Sequence, residues 1–171
     1  MKIEANKKTA PFDRKVHSEA GAYVAELVDE ILRLHGRILS ARKPSGLAGS
    51  GQAIVLASVV LAQEPPTVAR IARSLGYSRQ AVQRIADALA SEGHVRYVDN
   101  PHHKTSRQLL ATERGRQVYE QANRESAEWT GRISDGLDPV SLARTLDDLR
   151  QIRRNLELDK HPAARAAGEK Q

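Results

Sequence analysis

The run Ser78-Arg-Gln-Ala-Val-Gln-Arg-Ile-Ala86 places Arg79, Gln80, Gln83 and Arg84 within six residues of one another. These side chains suit the edges of nucleobases. The Arg fork matches the two acceptors of guanine, and the Gln amide matches the donor and acceptor of adenine. A second basic group, His103, Lys104 and Arg107, follows some twenty residues later. Such a group suits phosphates or the negative potential of a minor groove. Thr67 and Ser78 each precede a helical pattern, and helix N-termini offer backbone amides to phosphates. No set of residues for bond-making chemistry accompanies them. The sequence lacks G-x-S-x-G, a Gly-rich phosphate loop and His-Glu-x-x-His. Asp147 and Asp148 are adjacent on a helical pattern and diverge by about 100°, a poor acid/base or two-metal pair.

The base-reading residues need a helix that hides its other side. At about 100° per residue from Val82, the apolar residues of 78–92 fall between about 260° and 40°. On the same wheel Gln80, Gln83, Arg84, Asp87 and Ser91 fall between about 100° and 200°. Ser78 is the expected N-cap and Gly93 closes the helix. Before it, Thr67 caps a short helix with Val68, Ile71, Ala72 and Leu75 at i, i+3, i+4, i+7, and Gly76 ends it. The turn Gly76-Tyr77-Ser78 joins the two. An apolar helix, roughly Gly51 to Gln63 and capped by Ser50, covers their stripes and stops at Pro65-Pro66. After Gly93 the strand-forming residues Val95–Val98 and Arg107–Ala111 flank a polar loop, as in a β-hairpin. Three helices with a tight turn and then a hairpin make a winged helix-turn-helix.

Long helical patterns flank this core. From about Asp13 to Ser40, Ala20, Val24, Leu27, Ile31, Leu34 and Ile38 follow a 4, 3, 4, 3, 4 spacing, the seam of a helix packed on another helix. Thr112 caps a further helix to about Ser134, and a last one runs from Pro139 to about Leu158 through Leu142, Leu146, Leu149, Ile152 and Leu156. The expected fold is mainly α with a small β-hairpin: a winged helix-turn-helix domain plus long N- and C-terminal dimerisation helices. The expected divisions are a flexible arm (1–13), an N-terminal dimerisation helix (14–48), the DNA-binding domain (49–115), C-terminal helices completing the dimerisation region (116–158) and a frayed tail (159–171).

Composition narrows the classes. The chain has 171 residues, 27 basic against 21 acidic, and no cysteine. Disulfides, Cys-ligated metals and a Cys nucleophile are excluded. Residues 65–115 hold eight basic and four acidic residues, so most of the formal +6 lies in the helix-turn-helix segment. The longest apolar run, Ala53–Ala62, is half the length needed to cross a bilayer, and Met1–Lys8 lacks the apolar core of a signal peptide. These features predict a cytoplasmic protein.

The segment from about Gly51 to Gly115 resembles the MarR family of bacterial transcription regulators. The likeness rests on Pro66-Thr-Val-Ala-Arg-Ile-Ala72, Ser78–Ala86, Leu89-Ala-Ser-Glu-Gly-His-Val-Arg96, Asn100-Pro-His-His-Lys104 and Leu110-Ala-Thr-Glu-Arg-Gly115. With the flanking helices it extends over about residues 14 to 157. It implies a homodimer with interleaved terminal helices and two winged domains on a palindromic operator. It also implies small aromatic or phenolic effectors, bound between the dimer and DNA-binding parts. Many members carry an acidic residue followed two positions later by Arg in the wing. Here the tip reads His102-His103-Lys104-Thr105, so Lys104 is expected to meet phosphate or minor groove as a point charge.

Other residues have a plain and a sharp reading. The six histidines lack metal-ligand spacing, and solvent or phosphate contact outweighs metal; no metal site and no cofactor are expected. His17 and Tyr23 on the first helix, and Trp129, either pack at an interface or line an effector pocket. Arg70 and Arg73 form either a solvated face or phosphate contacts. The reading reached is a homodimeric transcription regulator, a ligand-responsive repressor, with helix 78–92 in the major groove and wing 95–111 in the minor groove. Its partners are double-stranded DNA, a second copy and a small-molecule ligand, with no membrane. The alternative is a winged-helix dimer that binds protein and not DNA.

Overall fold

The computed structural model describes residues 12–41, 46–101 and 106–159. In chain order its helices are α1 (Glu19–Ala41), α2 (Ser50–Val60), α3 (Val68–Leu75), α4 (Arg79–Ser91), α5 (Glu113–Ile133) and α6 (Pro139–Leu158). Strands β1 (Val95–Val98) and β2 (Gln108–Ala111) lie between α4 and α5. The chain divides into two units, Met1–Glu125 and Ser126–Gln171. Residues 1–11 of the expected arm, the wing tip at 102–105 and the expected tail beyond Asp159 lie outside the described residues.

The winged core sits in the first unit. Val55, Leu56 and Val59 of α2 meet Ile71 and Ala72 of α3, Val82, Ala86 and Leu89 of α4, and Val95, Leu109 and Ala111 of the hairpin. α2 is apolar on nearly every side, which is why it occupies the centre and touches both α4 and β2. Fully burying one such aliphatic side chain stabilises a fold by about 1.5–3 kcal/mol. The hairpin pairs Val95 with Ala111 and Tyr97 with Leu109, antiparallel, so these four side chains share one face of the ribbon. The Leu109 amide also donates to the Pro66 carbonyl at 2.8 Å, and Thr67 bridges Gln108. The wing is thereby tied to the residues that open α3.

Caps fix the helix-turn-helix. Thr67 Oγ1 accepts from the Arg70 amide at 3.2 Å, and Ser78 Oγ accepts from the Ala81 amide at 3.1 Å. Gly76 takes φ 68°, a left-handed turn that lets the Tyr77 amide reach back to the Ala72 carbonyl. Three boundaries differ from expectation. α1 starts at Glu19, not Asp13, because Ser18 Oγ captures the Gly21 amide and the extended His17 cuts off a separate 3-10 turn, Arg14–Val16. Ser50 is the first residue of α2 and not its cap; Gly49 stands there without a side-chain bond. α2 stops at Val60, ahead of Gln63. Pro65 bars helical backbone at Glu64, so the helix cannot run on past that point; nothing in the structure explains why it stops as early as Val60.

At the join between wing and α5, Thr112 caps as expected. Its hydroxyl accepts from the Gly115 amide at 3.0 Å and donates to the Gly93 carbonyl at 2.7 Å. In the second unit, Asp138 opens α6 by accepting from the Val140 and Ser141 amides, with Pro139 in the first turn where its missing N–H costs nothing. Both α1 and α6 leave large apolar groups exposed: Val24, Ile31 and Leu34 on α1, and Leu142, Leu146 and Leu156 on α6.

Candidate nucleic-acid interface

α4 hides Val82, Ala86 and Leu89 in the core and exposes Arg79, Gln80, Arg84, Asp87 and Ser91. Burying one side fixes which side the solvent meets. Gln80 and Arg84 therefore lie on the outward face, as the helical wheel required, and Arg79, on the rim of that face, is exposed as well. Ser78, at the head of the helix, is exposed, but its hydroxyl is engaged in capping. Thr67 is likewise engaged at the head of α3. What these two positions offer an anion is the adjoining backbone amides. Arg70 and Arg73 are exposed on α3.

Gln83 differs from its neighbours. It is half-buried, and its amide nitrogen lies 2.9 Å from Asp87 Oδ1 and 2.8 Å from Tyr97 Oη. The Tyr97 hydroxyl donates to the same Asp87 oxygen at 2.6 Å. Burial, reinforced by the bond to Asp87 and by its charge, pushes the Tyr97 phenol up to about 12. Arg107, exposed at the foot of β2, places its guanidinium 5.2 Å from the Tyr97 ring centroid and donates to the Tyr97 carbonyl at 3.2 Å. These groups, with Val68, Ala69, Arg79 and Ser106, border a cleft of about 330 Å³ where α3, α4 and the wing meet. Of the wing residues expected to touch DNA, Arg107 is thus placed beside α4. His103 and Lys104 lie outside the described residues.

A second polar chain ties the back of the domain together. The Ala48 amide donates to Gln52 Oε1 at 2.6 Å, and Gln52 Nε2 donates to Glu92 Oε1 at 3.0 Å. The other carboxylate oxygen of Glu92 lies 3.4 Å from Nε2 of the buried His94. Among the described residues no group of three or more His, Cys, Asp or Glu is gathered as metal ligands.

Tyr97, Asp87 and the Gln52–Glu92–His94 chain carried no role in the sequence reading. The i, i+4 spacing of Gln83 and Asp87 was a usable signal for their bond. The reach of Tyr97 to them depends on the hairpin register, which the sequence does not spell out.

The residues expected to line an effector pocket fall in both units. His17 and Tyr23 are exposed near the start of α1, His17 edge-on to Phe12 at 5.0 Å between ring centroids and Tyr23 beneath the Arg14 guanidinium at 5.2 Å. Trp129 is half-buried on the part of α5 that belongs to the second unit.

A family model described as MarR family matches residues 45–104. The uncharacterized protein Rv2011c of Mycobacterium tuberculosis is 35% identical over 122 residues, which span 71% of this chain and 82% of that one. Among solved structures, a MarR-family transcriptional regulator from Rhodococcus sp. RHA1 superposes with a TM-score of 0.67 at 20% identity, covering 80% of this chain and 95% of its own. CouR from Rhodococcus jostii RHA1, solved bound to p-coumaroyl-CoA, gives 0.63 at 21% identity, covering 79% and 92%. At those identities the two structures show the shared fold. No helix among the described residues is long and apolar enough to cross a membrane. From the paired hairpin, the family model and these matches together, the chain belongs to the MarR family of transcription regulators and is a winged-helix protein.

Proposed function

We propose that this chain is a homodimeric, sequence-specific DNA-binding repressor of the cytoplasm that reads a palindromic operator. Each subunit sets α4 in a major groove, while the wing, 95–111, reaches the flanking minor groove. The observation that carries the reading is the outward face of α4, where Arg79, Gln80 and Arg84 are exposed over a buried Val82–Ala86–Leu89 stripe. Arg84 and Arg79 suit guanine, Gln80 suits adenine, and the amides after Thr67 and Ser78 suit phosphates. The exposed apolar residues of α1 and α6 support pairing with a second copy, since an apolar face of that extent is stable only when covered.

Regulation by a small aromatic molecule belongs to the same proposal. CouR was solved with p-coumaroyl-CoA, and an effector of that general class would favour a dimer whose two α4 helices no longer match half-sites about one DNA turn apart. His17 and Tyr23 of the first unit are proposed to meet it, and Trp129 of the second unit is a separate candidate. The test is fluorescence anisotropy of the full chain on labelled duplex, including the fragment upstream of its own coding sequence, across a salt series. Specific binding is expected to exceed bulk DNA binding by about 10³-fold or more and to weaken steeply with salt. Equal affinity for all duplexes, or none, overturns the proposal and leaves a protein-binding module as the role of the fold.

A further inference from the structure

The triangle of Gln83, Asp87 and Tyr97 changes what α4 offers a base. Pairing a glutamine bidentately with adenine needs the amide nitrogen and oxygen side by side at one base edge. Here the nitrogen is turned to Asp87 Oδ1 at 2.9 Å and to Tyr97 Oη at 2.8 Å. An ionised Asp accepts and cannot donate, so this contact fixes which end of the amide is nitrogen. Tyr97 gives its own hydrogen to Asp87 at 2.6 Å. The phenol, raised to about 12 by burial and Asp87, keeps that hydrogen at neutral pH. Arg107 pins the ring and backbone of Tyr97 from the wing. This edge of α4 is left with acceptors to offer: the Gln83 carboxamide oxygen and the Asp87 carboxylate. In the major groove, adenine and cytosine present an exocyclic amino donor, whereas guanine and thymine present acceptors.

Resting on the reading that α4 enters a major groove, the geometry points to Tyr97 as a specificity-determining residue. By holding the Gln83 amide nitrogen in the wing-side triangle, it makes the Gln83–Asp87 edge select a base with an exocyclic amino group, adenine or cytosine, over guanine or thymine. Tyr97 acts through Gln83 and is a positioning residue. A purely structural role would weaken binding to every sequence alike; this role changes preference at one base position in each half-site.

The test is selection of bound duplexes from a randomised pool by the wild-type chain, Tyr97→Phe and Gln83→Met. Wild type is expected to enrich adenine and cytosine at one position per half-site. Gln83→Met is expected to level the four bases there. Tyr97→Phe keeps the ring beneath Arg107 and releases the one amide N–H that Tyr97 Oη accepts, while the bond to Asp87 stays; with that N–H available to a base, the same position is expected to shift toward adenine over cytosine by about tenfold. If wild type enriches duplexes with no such position, if Tyr97→Phe keeps the wild-type preference, or if the two variants alter different positions, this inference is overturned while DNA reading stands. If wild type enriches no sequence, the proposed function itself falls and this inference with it.

Discussion

Gly115 shows how one residue positions the wing. A Cβ added there would sit 1.9 Å from the carbonyl oxygen of His94, a backbone atom also held by the Thr112 amide at 3.0 Å. The first turn of α5 can press against the His94 backbone, between α4 and β1, only without a side chain. Gly115→Ala is expected to destabilise the domain by about 1–3 kcal/mol or more through forced displacement of that backbone, read as a lowered denaturation midpoint at unchanged slope. An unchanged midpoint would mean the join is loose. Tyr97 makes a second prediction at this scale. Its phenol is raised from 10.0 to about 12, so the folded state holds its proton more tightly than the unfolded state. The associated stability is fully present below pH 10 and is lost as pH rises from there through about 12. A tyrosinate absorbance step near pH 12 is expected, and Tyr97→Phe should remove it. The exposure of Gln80 and Arg84 was legible from the wheel alone. The altered setting of Gln83 was not, because it depends on a side chain fourteen residues away across the hairpin register.

At the scale of elements, local rules were nearly sufficient. Apolar periodicity and the caps at Thr67, Ser78 and Thr112 located the helices that the structure contains, and the wing pairing followed from the change to strand-forming residues after Gly93. The boundaries that moved did so where competing short-range bonds decide. Ser18 captured an amide that a continuous helix from Asp13 would have used, and α2 stopped at Val60, earlier than the apolar run suggested. Ser78→Ala removes the hydroxyl that accepts from the Ala81 amide at the head of α4. It is expected to cost about 1 kcal/mol of stability by chemical denaturation, and to weaken DNA binding chiefly through fraying of that first turn. A stability equal to wild type would show that the cap contributes nothing to seating α4.

For the whole molecule, the informative feature is apolar surface left uncovered. The winged core buries its own stripes, yet α1 exposes Val24, Ile31 and Leu34 and α6 exposes Leu142, Leu146 and Leu156. Of the 4, 3, 4, 3, 4 seam in the sequence, Val24, Ile31 and Leu34 are thus exposed on α1. A single-chain sequence signals such a face readily, but neither the geometry of the partner nor the distance between two α4 helices is written in it. Leu34→Glu is expected to weaken self-association at least about 100-fold. Two symmetry-related leucines each forfeit about 1.5–3 kcal/mol of burial, and a charge takes their place. Sedimentation velocity should then report monomer at concentrations where wild type is dimer, with the melt of the winged core little changed. A wild-type chain that sediments as a monomer would contradict this part of the account.

The claim beneath all of these is that the exposed side of α4 reads bases. It is tested most directly by titrating wild type and Arg84→Ala against the selected duplex, against the same duplex changed one base pair at a time, and against bulk DNA. The account predicts that Arg84→Ala loses about 1–3 kcal/mol on the selected duplex, relaxes preference at one position per half-site, and binds bulk DNA with only a small loss. An Arg84→Ala chain that matches wild type on every duplex, in both affinity and preference, would contradict it.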